Sequence, residues 1–171
     1  MVAEPSFLAP RFDSMPSGLK SQPWAVWRAK PRKGKPGKFD KAPRSPLTGR
    51  KIGADKPDLF GTFEQAQAAY LQGGYTGVGV LLTGTGIVGI DIDDVRKVIA
   101  EQPEAKAWIA KALGRGTYCE MSPSNTGLRL FIKGMPLPDE VKRKHGGLEI
   151  YDNLRFLTVT GHVVRRQPTD A

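Results

Sequence analysis

The chain has 171 residues, of which 39% are hydrophobic, and a formal net charge of +9. This length is enough for one domain with a buried core and hardly enough for two. The single cysteine, Cys119, excludes an internal disulfide, and with only two histidines it argues against a Cys/His zinc site. No apolar run approaches the roughly 20 residues of a membrane span, and the first 21 residues lack the apolar core of a signal peptide. We therefore expect a cytoplasmic protein without a membrane partner.

Basic residues are concentrated near the N-terminus, where the first 56 positions hold 13 of the 26 Lys and Arg residues and four acids. Such a surplus indicates a polyanionic partner, with nucleic acid as the default, although a solubilising charge would give the same count. Residues 1–22 are rich in Pro and Ser and are predicted to form a flexible lead-in. Trp24–Trp27 predicts the first strand. The next stretch, Arg28–Lys51, has ten basic residues and one acid, and its turn residues predict a long loop or hairpin.

The middle of the chain predicts one helix and two strands. Thr62 and Gln65 match a capping box, so a helix should run to about Leu71. Residues 78–82 and 87–92 predict buried strands, and we expect them to pair as a hairpin at the centre of an antiparallel sheet. The glycines of residues 84–89 match the dinucleotide-binding pattern GxGxxG. That pattern requires a helix after the glycines, whereas a strand follows here, so we reject a Rossmann-type site.

Two carboxylates mark the end of the second strand. Because side chains alternate along a strand, Asp91 and Asp93 should face one way while Ile90 and Ile92 face the core. Two carboxylates that converge at a strand end suit a hard divalent cation such as Mg²⁺. Helix capping accounts for one acid after the strand. It does not account for Asp91, which lies within an apolar strand where an unpaired charge is costly.

The C-terminal half predicts two helical pieces and four strands. Helices are expected from Asp94 to Gln102 and from Pro103 to the glycines near 115, with Trp108 in the core rather than stacked on a base. Strands are predicted at 118–122, 128–132, 148–151 and 155–161, and a short basic helix at 139–144.

Three features of this half are candidate binding elements. The turn at residues 122–127 has the small and hydroxyl residues of a phosphate-binding nest, with Arg129 behind it, although an ordinary hairpin turn has the same composition. Glu149 lies in an apolar strand and is either an exposed strand residue or a third carboxylate beside Asp91 and Asp93. Arg155 could meet a triphosphate. His162 could do the same or simply end the strand.

In their order and spacing, these features resemble the primase-polymerase domain of the archaeo-eukaryotic primase superfamily, in the form found in phage and plasmid replication proteins. The resemblance covers about residues 23–165. The stretches that carry it are Trp24–Arg28, Lys41-Ala42-Pro43, Pro46-Leu47-Thr48-Gly49, Gly77–Leu82, Gly89-Ile90-Asp91-Ile92-Asp93, Ser122–Arg129 and Leu148–Gly161.

The resemblance implies an α+β domain with a mostly antiparallel, RRM-like sheet and flanking helices. It also implies that Asp91, Asp93 and Glu149 hold catalytic Mg²⁺ or Mn²⁺ ions, and that the turn contacts the incoming NTP or dNTP. The residues expected to bind nucleotide are Ser122, Ser124, Asn125, Thr126, Gly127, Arg129, Arg155 and His162. One departure is that the superfamily turn usually ends in Ser-x-His, whereas Gly127-Leu128-Arg129 stands here. Arginine can bind phosphate but cannot donate a proton as histidine can.

We therefore expect a template-dependent nucleotidyltransferase, a DNA primase and DNA polymerase of phage or plasmid replication that uses a two-metal mechanism. Lys38, Lys41 and Arg44 are expected to contact phosphates of a single-stranded DNA template. The catalytic domain is predicted to span residues 23–165, with 166–171 as a tail or linker and a helicase domain or subunit as a further partner. Two alternatives are a metal-dependent nuclease, which needs the acids but no triphosphate site, and a non-catalytic single-stranded DNA or origin-binding module, which needs only the basic face.

Overall fold

A computed structural model describes residues 5–165 and shows an α+β protein with antiparallel sheets and four α-helices among these residues. The predicted fold class is confirmed. The helices are α1 (Ser17–Lys20), α2 (Phe63–Leu71), α3 (Val95–Glu101) and α4 (Glu104–Gly114). The strands are β1 (Trp24–Trp27), β2 (Lys30–Pro31), β3 (Phe39–Asp40), β4 (Pro43–Arg44), β5 (Gly77–Leu81), β6 (Ile87–Ile92), β7 (Tyr118–Met121), β8 (Leu128–Lys133), β9 (Lys144–His145), β10 (Leu148–Tyr151) and β11 (Phe156–Val159).

The strands form two main sheets. The four-stranded sheet has the order β11-β5-β1-β4, and the five-stranded sheet has the order β7-β8-β6-β10-β9. All pairings in both sheets are antiparallel. Strands β2 and β3 form a separate two-stranded hairpin within the predicted basic loop, which we call the basic hairpin. The strand that carries Asp91 therefore lies in the middle of the five-stranded sheet.

Local sequence signals set the helix starts. The Thr62 hydroxyl accepts a hydrogen bond from the Gln65 amide, and the Gln65 side chain accepts one from the Thr62 amide, so the predicted capping box is confirmed. Asp94 caps α3 by accepting from the Lys97 amide at 3.2 Å. Because this cap uses Asp94, the other two acids of the strand end are left for another role.

Two large apolar clusters form the core, and the first includes side chains from both main sheets. The four-stranded sheet packs with α1 and α2 around residues that include Trp24 and Phe63. The five-stranded sheet packs with α3 and α4 around Ile92, Leu130 and Ile109. Trp108 is partly buried against this second cluster, as predicted. The second core holds one face of the Asp91 strand, while the opposite face packs on the first core at Ile87 and presents the polar Asp91 near the strand end.

Two local predictions are wrong. Strands β5 and β6 do not pair as a hairpin, because each lies in a different sheet and has neighbours on both sides there. Hydrophobic alternation marks a buried strand but does not identify its partners. The helix predicted at 139–144 is absent from the described residues, where turns lead into β9. Pro136 and Pro138 restrict the backbone ahead of this stretch, and Asp152 ties it down through bonds from the Leu137 amide and Arg143.

Residues 5–22 pack closely onto the sheets, which differs from the predicted flexible lead-in. Met15 and Leu19 are 3% exposed. The Phe7 ring meets Trp27 and Phe39 edge to face, with centroids 5.6 and 5.4 Å away. Apolar side chains spaced among the prolines explain this packing. The domain boundaries at 22/23 and 165/166 stay predictions, and the predicted tail at 166–171 lies outside the described residues.

None of the helices within residues 5–165 has the length and apolar character needed to cross a membrane.

Candidate active site

A row of five charged side chains crosses the five-stranded sheet, one on each strand. Register pairs Glu120 of β7 with Arg129 of β8, Arg129 with Asp91 of β6, Asp91 with Glu149 of β10, and Glu149 with Lys144 of β9. Directly opposed residues of an antiparallel pair point to the same face. We call this set the charged row. Its inner half is Glu120, Arg129 and Asp91, and its outer half is Glu149 and Lys144.

The inner half begins at a fully buried carboxylate, Glu120. Its two oxygens accept hydrogen bonds from the amides of Thr160 at 2.9 Å and Gly161 at 2.8 Å, and the Tyr118 hydroxyl donates to it at 2.7 Å. Burial raises the pKa of Glu120 above its ordinary value, while these hydrogen bonds and the nearby Arg129 oppose that rise. Burial and the same carboxylate raise the pKa of the neighbouring Cys119 thiol to about 12. Sequence analysis missed Glu120.

The Arg129 guanidinium is committed to protein partners. Its Nε donates to Asp91 Oδ1 at 3.1 Å and its Nη1 donates to the Thr158 carbonyl at 2.8 Å. The side chain is 8% exposed and that of Asp91 is 18% exposed. Arg129 therefore lies at the site that the sequence predicts, but it contacts a carboxylate rather than an open phosphate pocket. The Oδ2 atom of Asp91 is outside this ion pair.

In the outer half, the carboxylate of Glu149 is shared by three donors. Lys144 Nζ lies 3.3 Å from Glu149 Oε1, while Arg155 Nη2 at 3.2 Å and the Tyr151 hydroxyl at 2.9 Å both contact Oε2. The Arg155 guanidinium also lies over the Tyr151 ring, 4.2 Å from its centroid. Arg155 Nε is buried and has no hydrogen-bond partner among the described residues. Burial, then the Glu149 hydrogen bond, raises the pKa of Tyr151.

The basic hairpin and its flank bring further cations to this face. Asp93 lies just beyond β6 with its side chain 72% exposed, and Lys38 Nζ approaches its Oδ2 at 3.5 Å. Burial, then the charge of Arg129, lowers the pKa of Lys41, while the charges of Asp91 and Asp93 oppose that change. Lys38 and Lys41 are thus near the acids.

The predicted contact residue Arg44 has a different environment. Its Nη1 donates to the Gly49 carbonyl at 3.0 Å within the loop that follows β4. It is half-buried and pairs in register with Val26 of β1, in the four-stranded sheet.

The predicted phosphate turn packs against the end of β6. The Ser124 hydroxyl shares hydrogen bonds with Ser122 and Thr126, and the Gly127 amide donates to Ser122 Oγ at 3.0 Å. Asn125 has φ of +62°, which closes the turn. A Cβ on Gly127 would lie 2.2 Å from the carbonyl oxygen of Ile92, so glycine is required there. This contact places the turn beside Asp93.

His162 contacts the N-terminal segment. Its Nε2 lies 2.7 Å from the Ala9 carbonyl oxygen, and its own carbonyl accepts from the Met121 amide at 2.9 Å. These contacts are those of a residue that holds the segment after β11 in place. The predicted triphosphate role of His162 stays a prediction.

The donor set of the charged row suits a hard cation. Asp91 and Glu149 face each other directly across adjacent strands, and both offer carboxylate oxygens. Within residues 5–165, no three His, Cys, Asp or Glu side chains are close enough together to form a ready metal-binding cluster. Asp93, the third predicted ligand, is turned toward Lys38. The pair of opposed carboxylates therefore fits Mg²⁺ or Mn²⁺, with Asp93 close by on the same strand end.

Comparison with characterised proteins gives a clear relative. The chain is 32% identical over 148 residues to a DNA primase-polymerase of Nitratiruptor phage NrS-1, and the match covers 82% of the chain and 19% of that protein. This match identifies a primase-polymerase domain. The primase-polymerase domain described here thus spans about a fifth of the length of its phage relative. No protein-family model matches the chain.

Proposed function

We propose that this primase-polymerase domain is a template-dependent nucleotidyltransferase that primes and extends DNA in phage or plasmid replication. The observation that carries the proposal is the register of Asp91 opposite Glu149 on one face of the sheet, with lysines and arginines around them. The similarity to a DNA primase-polymerase supports the same reaction class. The reaction joins the α-phosphate of an NTP or dNTP to a 3′-hydroxyl and releases pyrophosphate.

Asp91 and Glu149, with Asp93, would hold Mg²⁺ or Mn²⁺ in this proposal. When bound, a divalent cation of this kind stabilises the attacking and leaving oxygens of phosphoryl transfer. The protein must then separate Asp93 and Glu149 from their cationic partners, whereas Asp91 already has Oδ2 outside its ion pair with Arg129. The exposed pairs of Lys38 and Lys144 separate at little cost, because surface ion pairs contribute little to stability.

The cations released in this way are placed to bind the triphosphate. Arg155 stacks on Tyr151 with its side chain 37% exposed, so the terminal nitrogens of its guanidinium could donate to a phosphate oxygen once Glu149 is released. Lys41 and Lys144 would offset the remaining negative charge. The hydroxyls of the turn at 122–127 would contact the same group, while the remaining lysines of the basic hairpin would follow the phosphates of a single-stranded DNA template.

A nuclease could use the same carboxylates, but it has no need for exposed cations beside Glu149. A non-catalytic DNA-binding module would need the basic hairpin without the opposed acids. The cations of the outer half favour the transferase. Because the chain covers a fifth of its relative, a helicase domain or subunit as a partner is also part of the proposal.

The test is nucleotide incorporation on single-stranded DNA with Mg²⁺ or Mn²⁺, with and without a primer, for the wild type and for Glu149→Gln. Products without a primer that disappear in the variant would support primase activity. Extension of a primer alone would support a polymerase only. Degradation of the template without incorporation would favour the nuclease. Template binding that is equal in both proteins, without any synthesis, would favour the non-catalytic module.

A further inference from the structure

The buried Glu120 ties the two main sheets together. It lies on β7 of the five-stranded sheet, and it accepts the amides of Thr160 and Gly161 directly after β11 of the four-stranded sheet. The Thr160 hydroxyl adds a bond at 2.7 Å to the Met121 carbonyl of β7. These bonds fix the backbone that includes Thr158, whose carbonyl accepts from Arg129.

Arg129 transmits this fixed position to Asp91. Its Nε and Nη1 donate in two directions, to Asp91 and to the Thr158 carbonyl, so the plane of the guanidinium is set. With the side chain 8% exposed, little of the guanidinium is open to a phosphate. By contrast, the side chains of Arg155 and Lys144 are 37% and 64% exposed.

We propose that Glu120, Arg129 and the backbone of residues 158–161 form a buried brace that positions Asp91, and that Arg129 is a positioning residue rather than a triphosphate ligand. This inference rests on the proposed function for the role of Asp91. It assigns a role to Glu120 and revises the expected role of Arg129. Triphosphate recognition then falls to Arg155 and the lysines of the exposed part of the face.

Arg129→Lys tests the brace, because one ammonium group cannot bond in both directions. The matched control is Arg143→Lys, which makes the same exchange in an Arg–Asp pair with Asp152 outside the site. We expect kcat for primer extension to fall roughly 10- to 100-fold in Arg129→Lys, with KM for dNTP within about two-fold of wild type. The control should keep both values. A dNTP KM raised at least about ten-fold with kcat unchanged would overturn the inference, since it would make Arg129 a phosphate ligand.

Glu120→Gln tests the same brace without touching the predicted ligands. The Gln amide nitrogen is a donor and would face another donor, the amide of Thr160 or Gly161, so one hydrogen bond of the brace should be lost. The fold should persist, which circular dichroism checks. Two readouts do not depend on synthesis: the Nε–H NMR signal of Arg129, assigned by its loss in Arg129→Lys, and Mn²⁺ affinity measured by electron paramagnetic resonance. We expect the signal to shift and Mn²⁺ binding to weaken roughly 10-fold.

These readouts separate the two proposals. If the wild type makes no DNA but Glu120→Gln moves both the NMR signal and Mn²⁺ affinity, the brace stands and the transferase proposal fails. If the variant leaves both unchanged in a folded protein, the brace is wrong whatever the activity.

Discussion

The inner and outer halves of the charged row both place acids beside bases, yet their surroundings differ. In the inner half, Glu120 and Arg129 are buried, and their charged groups bond to the amides of Thr160 and Gly161 and to the carbonyl of Thr158. In the outer half, Lys144 is largely exposed and Glu149 shares its oxygens among three donors. Buried charges that are fully paired hold a fixed geometry because separating them is expensive. Exposed charges can exchange partners when a ligand arrives.

The largest effect is expected when the carboxylate of Asp91, which adjoins the outer half, is removed. Asp91→Asn should reduce incorporation at least roughly 100-fold, because the amide carries no charge to hold a cation. It should also lower the free energy of unfolding by about 1–3 kcal/mol, since the buried Arg129 loses its charged acceptor. Activity assays and urea unfolding measure the two effects.

Asp93→Asn is the paired control for stability, because Asp93 lies two residues away and, among residues 5–165, forms its one ion pair with the exposed Lys38. Its unfolding free energy should change by less than about 0.5 kcal/mol. If both variants lowered the free energy of unfolding equally, the greater burial of Asp91 would not make its ion pair more stabilising than that of Asp93.

The pH dependence of stability should report on the inner half. Burial raises the pKa of Glu120 above its ordinary value of 4.5, so the native state retains a proton that the unfolded state releases. The contribution of Glu120 to stability is therefore fully present below pH 4.5 and declines as pH rises through the folded-state pKa. The stability advantage of the wild type over Glu120→Gln should shrink as pH rises above 4.5, as urea unfolding at several pH values would show. An advantage that grows with pH would mean that the folded-state pKa is depressed.

The smallest effect is expected on the basic hairpin. Lys38→Ala should leave unfolding free energy within about 0.5 kcal/mol of wild type, because the Lys38–Asp93 pair is exposed. If Lys38 contacts a template phosphate, the slope of log affinity against log salt for single-stranded DNA should decrease by about 0.7. Fluorescence anisotropy at several salt concentrations measures this slope, with Lys97→Ala on α3 as the control. An unchanged slope would show that Lys38 does not contact a template phosphate.

Sequence reasoning predicted what depends on local periodicity. Strand alternation predicted that Ile90 and Ile92 are buried in the core and that Asp91 faces away from them. The structure confirms both points. It could not give the partners of β6, because pairing between distant strands is decided by packing of the whole sheet. The opposition of Asp91 and Glu149 therefore emerged only from the fold.

Glu120 could have been found by the reasoning that singled out Glu149. Both are single acids within short apolar strands. Counting back from the turn at 122–127 also pairs residue 120 with Arg129 across the β7–β8 hairpin. The burial of Arg129 was beyond this reasoning, since it depends on the Thr158 carbonyl from the other sheet.

The packing of residues 5–22 has a consequence for how the protein is made. The Ala9 carbonyl contacts His162, 153 positions later, and the Ser14 hydroxyl donates to the Gly161 carbonyl, 147 positions later. At ribosomal rates of about 5–20 residues per second, this segment of the nascent chain waits roughly ten seconds or more for these partners. During that time Ala9 and Ser14 lack these partners. Closure of these high-separation contacts should be a late step of folding, and the emerging chain is a natural client for a chaperone.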